Sequence, residues 1–112
     1  MPNQKAELNA IFHSLADPTR RAVLARLSSG AAPVGELARG TPMALPSFLQ
    51  HLGVLEQSGL VRSRKQGRVR TYELAPKRLR LAEDWLEQQR GKWERRLDQL
   101  DAYLLTLKKE KS

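Results

Sequence analysis

The sequence has no cysteine, two histidines and few aromatic residues, which make up 5% of the chain. Without thiols there are no disulfides, thiolate metal sites or cysteine nucleophiles, and a reducing compartment is permitted. No basic-then-apolar leader opens the chain, and no apolar run reaches the roughly 20 residues a membrane helix needs. We therefore expect a cytoplasmic protein with no membrane partner. His13 and His51 fall in different predicted helices, and neither has a neighbour at ligand spacing. A borderline metal asks for imidazole or thiolate rather than scattered carboxylates, so no metal site is expected. Glycine-rich phosphate loops and nucleophile–base pairs are also missing. The carboxylates mostly alternate with Lys and Arg in one helical segment, which is ordinary surface pairing. We expect neither an enzyme nor a cofactor.

Negative charge is scarce in one place. Residues 60–80 hold eight basic residues against Glu73 alone, whereas residues 46–59 carry only Glu56 and residues 81–112 are balanced. Nearly all of the formal net charge of +8 lies in that 21-residue stretch. A concentrated basic patch favours a polyanion or an anionic surface. The chain has 112 residues, 40% hydrophobic and 29% charged, which suits one globular domain with a modest core.

Apolar spacing then orders the elements. Leu8, Ile11, Phe12 and Leu15 form a helical stripe over residues 5–15. Asp17 is placed to cap a second helix that begins with Pro18, turns Ala22, Val23 and Leu27 inward and stops at Gly30. A short third helix points Val34, Leu37 and Ala38 inward and ends at Gly40. A fourth, roughly 44–57, has a stripe of Leu45, Phe48, Leu49, Leu52 and Leu55, and Gly59 closes it. Two extended runs around Gln66-Gly67 predict a hairpin. From Pro76 the pattern is helical almost to the end, with Leu79, Leu86, Trp93, Leu100 and Leu107 every seven residues and Leu97 and Leu104 at the second seam position. A helix of about 30 residues would be roughly 45 Å long. So small a body cannot cover a seam of that length, so we expect a homodimer.

A short helix and a turn before a helix with a polar outer face is a helix-turn-helix, and a basic hairpin directly after it is a wing. The expected fold is mostly α with a small β-hairpin wing: a winged helix-turn-helix with a long C-terminal dimerisation helix. It forms a single domain, 1–112, divided into an N-terminal helix (1–15), the winged core (17–75) and the C-terminal helix (76–110). Ser47, Gln50 and His51 occupy the DNA-facing positions of the uncharged helix: Ser47 and Gln50 are candidate readers of base edges, His51 either contacts phosphate or packs, and the wing holds the DNA backbone through Arg64, Lys65, Arg68 and Arg70. The expected dimer interface comprises Leu8, Phe12, Leu86, Trp93, Leu97, Leu100, Leu104 and Leu107. The predicted function is sequence-specific recognition of an inverted repeat in double-stranded DNA by a homodimer. A non-specific or architectural nucleic-acid binder, and an interaction module whose long helix pairs with another protein, are the competing readings.

The segments "FHSLADPTRRAVLARLSSGAAPVGELA", "LPSFLQHLGVLEQSGLV" and "GRVRTYEL" resemble the ArsR/SmtB group of winged-helix repressors, over roughly residues 8–75. The resemblance implies a dimeric DNA-binding regulator that represses by occupying a promoter. It also implies that Arg20 and Arg21, in "PTRR", are structural or face a partner, with contact to phosphate as the alternative. Many members carry paired thiols in the short third helix, where this chain has "ELARGT". Others bind metals through His and carboxylates on the C-terminal helix, which here has Glu83, Asp84 and Glu87 but no His. The chain is therefore similar to members that do not sense metals. Leu49 stands where many relatives carry Ser, and Ala44 replaces a common capping Ser. The sequence leaves open a small-molecule effector, with Trp85 and Trp93 as candidate walls of its cavity.

Overall fold

The computed structural model describes residues 4–110. Helices α1 (Gln4–Leu15) and α2 (Pro18–Leu27) are followed by a short strand β1 (Ala32–Pro33), then α3 (Val34–Ala38) and α4 (Leu45–Gln57). A hairpin of β2 (Val61–Gln66) and β3 (Val69–Leu74) leads into α5 (Pro76–Glu110). The described residues divide into two compact units, 4–82 and 83–110.

In the first unit the helices form where local signals place them. The Asp17 carboxylate accepts the Arg20 backbone N–H at 3.0 Å, and Pro18 takes the first helical position. At the end of α4 the Leu60 N–H reaches back to the Leu55 carbonyl and the Gly59 N–H to that of Glu56. Gly59, at φ +81°, provides the left-handed residue that this Schellman closure requires. A Cβ on Gly59 would lie 2.6 Å from the Arg78 side chain, so the position excludes larger residues twice over.

The core gathers Ile11, Val23, Leu27, Leu37, Phe48, Leu52, Leu55, Leu60, Val61, Tyr72 and Ala82, with Leu8, Phe12 and Leu15 packed partly against it. Three expectations need correction. Ala22 is exposed. Leu45 and Leu49 are 53% and 44% exposed, so the buried arc of α4 is narrower than the apolar stripe and holds only Phe48, Leu52 and Leu55. The sheet has three antiparallel strands rather than two, in the order β1-β3-β2, because Ala32 pairs with Tyr72 and Pro33 with Thr71. A two-residue strand has no periodicity to reveal it.

The second unit is the remainder of α5. From Glu83 onward its apolar side chains are largely exposed, including Trp93 at 68% and Leu97, Leu100 and Leu104 at just over half. Among the described residues, no helix is long and apolar enough to cross a membrane.

Candidate nucleic-acid interface

α4 displays an exposed face that carries almost no charge. Ser47 and Gln50 are exposed, together with Pro46, Gly53 and Gln57. Ala44 contributes no side-chain cap, and the helix starts on the fixed backbone of Pro46 in its first turn. His51 lies at the edge of this face, and its Nδ1 is 3.0 Å from Arg20 Nη1 and 3.7 Å from Asp17 Oδ2. Guanidinium only donates, so Nδ1 accepts and the imidazole proton sits on Nε2. The ring is therefore committed on one side to the body of the protein.

Arg20 explains that commitment. It is 8% exposed, and its Nε and Nη2 donate to the carbonyls of Ser14 and His13 at 2.8 and 2.9 Å. Arg21 donates to the Leu15 carbonyl at 2.7 Å. Adjacent arginines at the start of α2 thus satisfy the last carbonyls of α1, which a helix end otherwise leaves without partners. Arg20 also reaches the edge of α4. The backbone bond from Arg20 lowers the Asp17 carboxyl pKa below its usual value, opposed by partial desolvation and helped by the Arg20 charge.

The wing is set by its register. Val61, Ser63 and Lys65 pair with Leu74, Tyr72 and Arg70 on one face, and Arg62, Arg64 and Gln66 pair with Glu73, Thr71 and Val69 on the other. Closure at Gln66–Val69 makes Gly67 and Arg68 the turn, one residue later than the expected Gln66-Gly67 centre. Gly67 has φ +64°, as the first central residue of a type II′ turn requires, and Arg68 is carried at the tip. Arg62 is neutralised by Glu73 at 2.8 Å. Arg64, Lys65 and Arg68 are exposed and, among the described residues, form no ion pair with an acid. Lys65 stands directly across from Arg70, a like-charge pairing that costs stability in a sheet and that a bound anion would relieve.

A polar chain fastens the wing to α4. Arg70 Nη1 donates to Ser63 Oγ at 2.8 Å, and Ser63 Oγ donates to Glu56 Oε2 at 3.1 Å. Glu56, the one acid of α4, is thereby occupied with orienting the hairpin. Burial raises the Tyr72 hydroxyl pKa, with the Glu56 charge adding to this and Arg70 opposing it. Sequence reasoning singled out Arg70 and gave Arg20 a structural role, but it did not single out Ser63 or Glu56. Ser63 and Glu56 are only seven positions apart but lie on different elements that no periodic pattern relates, and the only local hint was one acid in an otherwise neutral helix. Among the described residues, no group of three or more His, Asp or Glu side chains is placed to hold a metal.

This arrangement has known counterparts. Residues 15–64 match the helix-turn-helix domain family. An HTH-type transcriptional regulator of Mycobacterium tuberculosis is 48% identical over 58% of this chain, and the match spans 61% of that protein's length. The transcriptional repressor SdpR of Bacillus subtilis is 29% identical over 70% of this chain and 88% of its own. The crystal structure of an ArsR family transcriptional regulator superposes with a TM-score of 0.78 at 52% identity, covering 84% of this chain and 97% of that one. On this identity and superposition, this chain belongs to the ArsR/SmtB family of winged helix-turn-helix regulators.

Proposed function

We propose that the protein is a transcriptional repressor that binds an inverted-repeat operator as a homodimer and senses no metal. The observation that carries the reading is the placement of the uncharged face of α4 beside a wing whose Arg64, Lys65 and Arg68 have no acidic partners among the described residues. A helix of this kind fits the major groove, where Gln is able to bond adenine through two atoms and Ser to donate or accept. Wing cations serve a different purpose. They neutralise phosphates and so hold the reading helix in register without themselves reading sequence. Ser47 and Gln50 are the assigned base readers. Arg64, Lys65 and Arg68 are the assigned phosphate clamp, with Arg70 shared between phosphate and the Ser63 link. His51 serves mainly to hold α4, with its Nε2–H available to a phosphate.

Dimerisation is assigned to the apolar row of Leu86, Trp93, Leu97, Leu100 and Leu104, all exposed, and the half-buried Leu107, which recurs at coiled-coil spacing. Leu8 and Phe12, expected at the same interface, spend much of their surface on the core of the first unit. The absence of thiols and the tie between His51 and Arg20 support a regulator without a resident metal. The relatives are named as regulators rather than enzymes, in keeping with this reading.

Selection of bound sequences from random duplex DNA tests the proposal. It predicts recovery of an inverted repeat whose half-sites lie about one helical turn apart or a multiple of it. Recovery of unrelated duplexes that all dissociate together as salt rises would replace it with an architectural binder.

A further inference from the structure

α4 carries two leucines that the core does not use. Leu45 and Leu49 are 53% and 44% exposed, while Phe48, Leu52 and Leu55 on the same helix are at most 1% exposed. Leaving half of a leucine in water forgoes burial that the fold obtains elsewhere on this helix. Both lie in the first two turns, the part of a recognition helix that reaches base edges. Their position around the helix is informative. Leu45, Leu49 and Glu56 follow one row at i, i+4 and i+11, and Glu56 is bonded to Ser63 at the base of the wing. His51, on the other flank, is tied to Arg20. The exposed face thus has an apolar edge on the side of the cationic wing and a polar part formed by Ser47 and Gln50.

A polyanion is the partner that the neighbouring charge selects. Within double-stranded DNA, the major-groove feature that rewards an apolar side chain is the 5-methyl group of thymine. We propose that Leu49, assisted by Leu45, is a specificity determinant that recognises thymine methyl groups in each operator half-site. This rests on the operator-binding reading above. Ser47 and Gln50 then supply hydrogen-bonded readout beside an apolar contact, so a half-site should place one or two thymines next to the bases read by Gln50.

The test replaces each thymine of the selected operator by deoxyuridine, one position at a time, and measures binding to the full-length protein. The exchange removes a methyl group and leaves every hydrogen-bonding atom in place. At one or two thymines per half-site the affinity should fall roughly three- to fivefold, the effect of exposing one buried methyl-sized group. Leu49→Ala should bind the thymine operator more weakly and lose its discrimination between thymine and deoxyuridine at one of those positions. A 5-methylcytosine placed at a cytosine elsewhere should have no such effect. Leu49 is half exposed, so the variant should keep its thermal midpoint, and Leu45→Ala provides a second, independent variant. An operator that is recovered but indifferent to every methyl, or a Leu49→Ala protein that retains full discrimination, overturns this inference and leaves the repressor reading standing. Failure to recover any operator removes both.

Discussion

Arg20 is a cation inside the fold, and its three side-chain bonds hold the end of α1 and the edge of α4 together. Replacing it by Met should destabilise the protein by about 2–3 kcal/mol, because the buried Ser14 carbonyl and the part-buried His13 carbonyl lose a charged donor. Urea denaturation measures this loss. Asp17 gives a pH signature. Its carboxyl is held below the usual aspartate pKa in the folded state, so its contribution is complete above the unfolded value and is lost as the pH falls through the folded one. Unfolding midpoints taken from about pH 5 down to about pH 2 should therefore fall more steeply in the native protein than in Asp17→Asn. At the surface, Arg64→Ala with Arg68→Ala should weaken binding to all duplexes alike and flatten the salt dependence by about one phosphate per residue. Gln50→Ala should instead relax preference at one base pair per half-site, by roughly 1–3 kcal/mol of discrimination. The cap at Asp17 and the glycine of the wing turn were legible in the sequence because their partners lie within a few residues. The Arg20–His51 contact was not, since 31 positions separate the two and neither residue type demands the other.

Among the elements, α4 shows where helical periodicity succeeds and where it stops. The spacing located the helix to within a residue, yet it counted Leu45 and Leu49 as buried. An i, i+3, i+4 stripe says which residues share a side but not how wide an arc the neighbouring elements cover. The width is set by α2 and by β2, which lie outside the window that the pattern reads. The wing is a second case. Alternation and Gly67 announced a hairpin, but the pairing that fixes Gly67-Arg68 as the turn depends on the cross-strand register with Tyr72 and Leu74. In α5, Gly91 has room for a side chain, because a methyl added there would meet nothing nearer than the tip of Arg95, 3.5 Å away. It also falls off the seam positions of the heptad pattern. Gly91→Ala should therefore raise helix stability by about 1 kcal/mol and leave the association constant unchanged, read by thermal melts over a range of protein concentrations.

For the whole molecule, the proposed function links association and DNA recognition, because an inverted repeat is read only by a two-fold pair. Trp93 and Leu100 lie on the apolar row of Glu83–Glu110 and are exposed in the single chain. Trp93→Glu with Leu100→Glu should yield a monomer in sedimentation, with a folded winged unit and greatly weakened operator binding. Fold class, element order and the concentration of charge were legible from the sequence because each is a property of long stretches. The exposure of Leu45 and Leu49 and the contact between Arg20 and His51 were not, and the candidate site depends on both. The most direct test compares affinity for the selected inverted repeat with affinity for a scrambled duplex of equal length and composition, across a range of salt. A sequence-reading dimer should show a preference of roughly 10³ or more at physiological salt, with both affinities falling steeply as salt rises. A ratio near one at every salt concentration would contradict it.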